Sequence, residues 1–231
     1  LEKFLKNPSQ REAIKQFVHA LDLDIDDIDV KERDLALEQL PKDMPDELKK
    51  FFMKSEGKFI SISTMHKKYN SENQSIGKVS LDLEGEESDG TQKLFFLAGP
   101  VLDALENGRI LWIDEMEARM HPLMTFGIIK LFNSKETNPK NAQIIFTTHD
   151  TNLLDRNLFR RDQIWFTEKD RYGSSHLYSM IEFKPRNDIS FEKDYLRGKF
   201  GAIPYLGNFE RVLEYGRKIA EEQGEYESQD Q

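Results

Sequence analysis

Cysteine is absent from the 231 residues, which rules out disulfides and thiolate-held metal groups at once. Its absence fits a reducing compartment, and the chain is expected to be cytoplasmic. No run of about 18 apolar residues occurs, so no membrane-spanning helix is expected, and no signal peptide is visible. Basic residues are the minority: 33 Lys and Arg face 42 Asp and Glu, for a formal charge of −9. That balance excludes a uniformly basic nucleic-acid surface, while leaving room for a local basic groove. The phosphate-gripping pattern G-x-x-x-x-G-K-[ST] occurs nowhere, so a bound triphosphate would lack its primary anchor.

What is present suits one large domain or a core with an appendage. Apolar residues make up 38% and include 16 Phe, enough for a core, while charged residues at 32% suit long exposed helices. The chain begins with Leu1 rather than Met and opens inside a helix-like stretch. It is therefore expected to be a fragment whose N-terminal part lies elsewhere.

Residues 8–21 open with Pro8 and Ser9 and place Ala13, Ile14, Phe17, Val18 and Leu21 on one helical face. Five aspartates follow, at 22, 24, 26, 27 and 29. The first three have calcium-loop spacing, but Asp27 stands where that loop needs glycine and Arg33 where it needs glutamate. A solvated, acid-lined strand or turn is the better reading. Residues 30–56, charged and broken by Pro41 and Pro45, look like a helical surface insertion, so residues 1–58 form the first expected segment. FISISTMH (59–66) and KVSLDLE (78–84) alternate as strands do, and the polar stretch between them suggests an antiparallel pair.

From Ser88 the pattern becomes strand–helix–strand. A helix presents Leu94, Phe95, Leu97, Val101, Leu102 and Leu105 inward and stops at Gly108. RILWID is a short buried strand, 121–134 a helix with Pro122 in its first turn and Phe126, Ile129 and Phe132 inward, QIIFTT (143–148) a second buried strand and DQIWFT (162–167) a third. Continuous apolar strands separated by helices predict an α/β fold, with a mostly parallel sheet covered by helices on both faces. HLYSMIEF (176–183) is expected at the sheet edge. Residues 59–183 thus form one lobe, and 184–231 a helical tail with an acidic end, fastened by Phe200, Pro204 and Tyr205.

Two strand ends carry chemistry. ILWIDE ends in Asp114 and Glu115, and IIFTTHD brings His149 to the end of the next strand. Ligands of open α/β sheets bind at such carboxyl edges. There Asp114 can hold a hydrated magnesium ion, Glu115 can polarise an attacking water, and His149 can sense a terminal phosphate. The bland alternatives are two acids favoured by the next helix's N-terminal charge and a structural histidine. Ser88, Asp89, Gly90, Thr91 and Gln92 open the long helix, where a hydroxyl, a glycine and free amides form a phosphate cradle; an ordinary helix cap reads the same way. Arg119 is either a solvated ion-pair partner or a nucleotide contact. His66, Lys67 and Lys68 read as solvated charges of a polar loop rather than a DNA contact. Glu168 and Asp170 could serve a metal-dependent nuclease, but no second acidic strand follows, and a strand and turn is preferred.

The order of these parts (serine–glycine loop, helix, strand with Asp-Glu, helix, strand with His) resembles the C-terminal half of an ABC-type ATPase head, over about residues 78–170. SDGTQ stands at that superfamily's signature loop, ILWIDE at its Walker B strand, MEARMHP (116–122) at its D-loop, and His149 at its switch histidine. Asp89 replaces the usual first signature glycine, and the D-loop's usual acid is replaced near His121. MHP instead resembles the OLD, RecF and SMC branch of these AAA-family ATPases. ESDGTQKLF with DYLRGKFGAIPYLG (194–207) looks most like the RloA-type abortive-infection ATPases of bacterial defence. The resemblance implies a P-loop head whose Walker A loop lies N-terminal to everything here, so this chain by itself would be inactive. It implies ATP and Mg2+ as cofactors, and Asp114 as metal ligand. Glu115 would be the catalytic glutamate. Residues 88–92 would face nucleotide on a second ATPase subunit in a homodimer or higher oligomer. An effector protein of anti-phage defence would be the downstream partner. A RecF/SMC-like DNA-binding ATPase is the alternative, which leaves nucleic acid open, and an OLD-type ATPase–nuclease is a lesser one.

Overall fold

Asn7 starts the first helix, α1 (Pro8–Ala20), by accepting a hydrogen bond from the Ser9 amide at 3.1 Å. Pro8 at the first helical position needs no donor there. Ile14, Phe17 and Val18 are buried, the face the spacing predicts. The computed structural model describes residues 7–21, 23–34, 45, 48, 58–184 and 190–204. Asp22, nearly all of the expected insertion between 35 and 57, and the tail from Tyr205 onward lie outside the described residues. Two compact units, residues 1–153 and 154–231, are taken in turn.

In the first unit, β1 (Asp27–Asp34), β2 (Lys58–Tyr69) and β3 (Ser75–Asp82) form an antiparallel sheet in the order β1-β2-β3. Asp27 pairs with Met65 and Ser63 with Asp82, and the register slips at Lys68/Tyr69. The β2–β3 pair is the one expected. β1 corrects the expectation that 1–58 is helical outside the acidic stretch. Its ladder to β2 satisfies the backbone, and lysines neutralise the acids beside it. Asp26 receives Lys78 and, at 3.3 Å, Lys67. The Lys78 hydrogen bond is the main reason its carboxyl lies below the ordinary aspartate range. His66, Lys67 and Lys68 accordingly lie on β2 rather than in a loop, and two of the three have acidic partners.

α2 (Asp89–Asn107) is capped by Ser88, whose Oγ accepts from the Thr91 amide at 3.1 Å. It buries Leu94, Phe95, Ala98, Val101, Ala104 and Leu105. Gly108 ends it at φ 65°, and a Cβ there would stand 2.7 Å from the Lys140 carbonyl oxygen, so no other residue fits without displacing backbone. β4 (Ile110–Ile113) then pairs in parallel with β5 (Gln143–Phe146), Ile110 opposite Gln143 and Ile113 opposite Phe146. The crossover is α3 (Pro122–Asn133), with Thr125, Ile128, Ile129 and Phe132 buried. Phe126 is only half-buried and lies under Lys130, one position off the expected stripe. Buried Asn138 fastens the return loop: its amide donates to the Phe132 and Ala142 carbonyls at 2.8 Å each and accepts the Ala142 N–H at 2.7 Å.

The expected two-sided covering of this sheet is not what the described residues show. Ile113 is buried, but Ile110, Trp112 and Ile145 are 65%, 68% and 41% exposed. Side chains alternate across a strand, and only the face carrying Leu111, Ile113, Ile144 and Phe146 is packed. The fold is mixed α/β with a small parallel sheet; among the described strands the parallel pair is the minority.

In the second unit, β6 (Trp165–Lys169) and β7 (Ser175–Ser179) form an antiparallel hairpin, with Phe166 opposite Tyr178. This corrects the reading of 162–167 as a third parallel strand. The cause is the turn: Asp170 Oδ1 accepts from the amides of Tyr172 and Ser174 at 2.8 and 2.9 Å, and Gly173 takes φ 83°. Those backbone donors, Ser174 first, hold the Asp170 carboxyl below its ordinary range. Asp170 is thereby a turn residue, and Glu168 accepts from the Tyr178 hydroxyl at 3.2 Å. β7 ends at Ser179 because that residue caps a 3-10 turn, Met180–Phe183. The core is Ile164, Phe166, Met180, Phe191 and Phe200, Phe191 being supplied by α4 (Phe191–Leu196). Burial, with Glu168 beside it, pushes the Tyr178 phenol up to about 12, so it stays a donor, to the Phe200 carbonyl at 2.8 Å.

Candidate functional site

The site begins where β4 and β5 end. Thr147, one residue past β5, continues the parallel ladder: its N–H donates to Ile113 O and its carbonyl accepts from the Met116 N–H, both at 3.1 Å. Its hydroxyl joins the acid pair, donating to Asp114 Oδ1 and accepting the Glu115 N–H at 2.8 Å. The chain then makes a tight turn over 114–120. Glu115 and Arg119 take φ of 46° and 63°, a left-handed conformation that side chains disfavour. Two internal bonds hold the turn, Ala118 N–H to Glu115 O at 3.1 Å and Met120 N–H to Glu117 O at 2.9 Å. Met116 and Met120 point inward and are buried. The outcome is apolar anchors below and the carboxylates of Asp114 and Glu115 exposed above.

His149 reaches the same place along β5. Its N–H donates to Glu117 Oε1 at 2.7 Å, and its ring lies exposed. The Thr148 hydroxyl and the Glu117 N–H also act on this carboxyl. Burial acts most strongly on this carboxyl and pushes it up, but Thr148, the two backbone N–H groups and the charge of His149 together outweigh burial and hold it below the ordinary glutamate range.

The Ser88 loop packs on the other side of the turn. Lys93 Nζ donates to Glu115 O at 2.6 Å, and Arg119 pairs with Asp89 at 3.1 Å. A Cβ on Gly90 would stand 2.6 Å from the Arg119 carbonyl oxygen. Ser88 and Asp89 are exposed, Gly90, Thr91 and Gln92 half-buried. Ser88 spends its hydroxyl on Thr91, and Gln92 donates to Glu87 O at 2.9 Å. Behind them Glu87 accepts from Thr64 and lies 2.6 Å from the His66 ring, tying the loop to β2.

The structure thus gathers Asp114, Glu115 and His149 at adjacent strand tips, with residues 88–92 against the acid-pair turn of the same chain. It also shows residues that sequence reasoning passed over: Thr147, Thr148, Glu117 and Lys93. The paired threonines before His149 were the available signal, since two hydroxyls at a strand exit can bond to the neighbouring tip. Gly90 acquires a packing reason independent of any phosphate. Gly90→Ala is expected to lower stability by about 1–3 kcal/mol, because the atom it meets is backbone. Circular-dichroism melting checks this; an unchanged midpoint would mean the close approach is not what requires glycine.

The donor set suits a hard cation. It offers carboxylate, hydroxyl and imidazole with no thiolate, and Glu117 keeps a buried Oε2 without a hydrogen-bond partner. Among the described residues no three His, Asp or Glu converge as a metal cage. Magnesium needs none, since it keeps several waters and takes one or two carboxylates plus phosphate oxygens. The exposed carboxylate of Asp114 is the group here that would hold it.

No helix among the described residues is long and apolar enough to cross a membrane. No curated protein matches the chain. A family model described as "AAA domain, putative AbiEii toxin, Type IV TA system" matches residues 4–155, a stretch containing the acid pair, the histidine and the Ser88 loop. With well over half of its residues inside that match, the chain belongs to this family of AAA-domain, ATP-binding proteins.

Proposed function

We propose that the chain is the water- and magnesium-handling part of an ABC-type ATPase head that closes as a dimer around ATP and controls an effector in bacterial anti-phage defence. One observation carries the reading: Thr147 joins Asp114 to the Glu115 backbone at the tip of the parallel pair, and His149 is bound to the same turn. Magnesium, when bound, supplies positive charge to the phosphate oxygens. Asp114 orients its water shell, Glu115 accepts a proton from the attacking water, and His149 donates a hydrogen bond to the terminal phosphate. The exposed Ser88 and Asp89 meet nucleotide held by a second subunit. ATP then adds contacts only in the closed state, which shifts the population toward closure until hydrolysis releases it. The defence role rests on the family's printed description and on the likeness of residues 194–207 to the RloA type.

The test uses the full-length protein. Ser88→Arg places a bulky cation at the contact surface. ATP-dependent dimerisation, followed by light scattering, is expected to disappear while ATP binding by each subunit remains. A variant that dimerises with ATP as the parent does would remove residues 88–92 from the interface.

A further inference from the structure

Glu117 has been given no role in the chemistry above, yet its carboxylate binds the main chain of His149. The acid-pair turn and the exit of β5 are separate stretches of chain. They are bonded to each other through Thr147, and one residue later Glu117 takes over. Its Oε1 accepts the His149 N–H at 2.7 Å, and Thr148 acts on the same carboxylate. Thr148 is itself fixed, because its Oγ accepts the Asp150 N–H at 3.0 Å. On its other side the turn is held by Lys93, which bonds the Glu115 carbonyl. The turn is therefore a hub: Lys93 ties it to the helix carrying the Ser88 loop, and Glu117 ties it to His149.

We infer that Glu117 is a positioning residue that sets His149 against Glu115, so that the water-activating and phosphate-sensing groups move as one body with the turn. This rests on the functional reading above. A carboxylate is well chosen for the task. It accepts several donors at once and bonds them more strongly than a neutral group would, and partners of this kind orient the groups that do the chemistry. The buried Oε2 has no hydrogen-bond partner, so the side chain is held through Oε1 and the His149 N–H, at the expense of one acceptor left unused.

The test is steady-state ATP hydrolysis by the full-length protein carrying Glu117→Ala, Glu117→Gln or Glu117→Asp. Glu117→Ala is expected to lower kcat by about 10–100-fold with KM for ATP and ATP-dependent dimerisation unchanged, because the residue orients His149 and does not hold nucleotide. Glu117→Gln keeps a carbonyl oxygen for the His149 N–H and is expected to restore most of the rate. Hydrogen exchange should show the His149 amide opening in Glu117→Ala and protected in Glu117→Gln. A Glu117→Ala enzyme with the parent's kcat, or a Glu117→Gln enzyme as slow as Glu117→Ala, overturns the inference; the second result would show that charge, not the acceptor, matters. If Glu117→Ala does not fold, Glu117→Asp carries the test, since it keeps the charge and draws the acceptor back from the His149 N–H: a lowered kcat at constant KM supports the clasp and an unchanged kcat overturns it. Should Glu115→Gln hydrolyse ATP normally, the reading of the site fails, and exchange at the His149 amide still decides the clasp.

Discussion

Glu115→Gln in the full-length protein is expected to bind ATP as the parent does and to hydrolyse it on the order of 10²–10⁴-fold more slowly. The substitution is unusually clean here. The main chain of Glu115 is fixed at both ends, its N–H on the Thr147 hydroxyl and its carbonyl under Lys93. Its side chain is exposed and has no hydrogen-bond partner among the described residues. Glutamine therefore keeps the shape, and even the left-handed backbone at φ 46°, while losing the basicity that draws a proton from water. Because ATP closes the proposed dimer and hydrolysis opens it, the variant should also accumulate as a dimer in ATP. Phosphate release, equilibrium binding of a fluorescent ATP analogue and light scattering read the three consequences. Hydrolysis at the parent's rate would remove Glu115 from the catalytic role, and loss of binding would make it a nucleotide ligand instead.

Phe166→Ala is expected to unfold the second unit, at a cost of about 3–5 kcal/mol. Phe166 is the centre of the aromatic core. Its ring stacks on Tyr195 and on Phe200 with centroids 5.6 Å away in both cases, and tilts against Tyr178 at 5.9 Å. Removing it leaves those three rings facing a cavity, with few other buried groups among the described residues of the unit. Phe166→Leu, which keeps most of the volume, should cost distinctly less, about 1–1.5 kcal/mol. The neighbouring Trp165 is 55% exposed and serves as a fluorescence reporter during denaturant unfolding. Equal, lowered midpoints for the two variants would show that the stacked ring, and not the volume it fills, is what the unit needs there.

Much of the site could be read from the chain because its groups sit at fixed offsets from buried strands. Ile113 is buried, so period-two alternation turns Asp114 outward. The parallel pairing of Ile110 with Gln143 then carries Thr147 and His149 to the same edge. Local signals served equally well at helix ends: Asn7 with Pro8, Ser88, and Gly108 each do what their chemistry suggests. The failures share a cause. Residues 30–34, read as the start of a helical insertion, instead prolong β1 through its ladder to β2, which does not lie nearby in sequence. Residues 162–167 carry the apolar run of a parallel strand, yet the Asp170 turn folds them back against β7. An apolar run states that a strand is present; it names neither the neighbour nor the number of faces covered.

The same division runs through the function. Residue order alone determined which groups reach the sheet edge, since strand alternation and the length of one strand–helix–strand unit are short-range properties: Asp114, Glu115 and His149 follow from them. Only the tertiary structure decided how those groups are held together. Thr147 bridging the acid pair, Glu117 grasping the His149 amide, and the Arg119 carbonyl closing on Gly90 are contacts between segments about thirty residues apart. Such contacts depend on ångström-scale distances in a packed turn, and a one-dimensional pattern carries no distances across the fold.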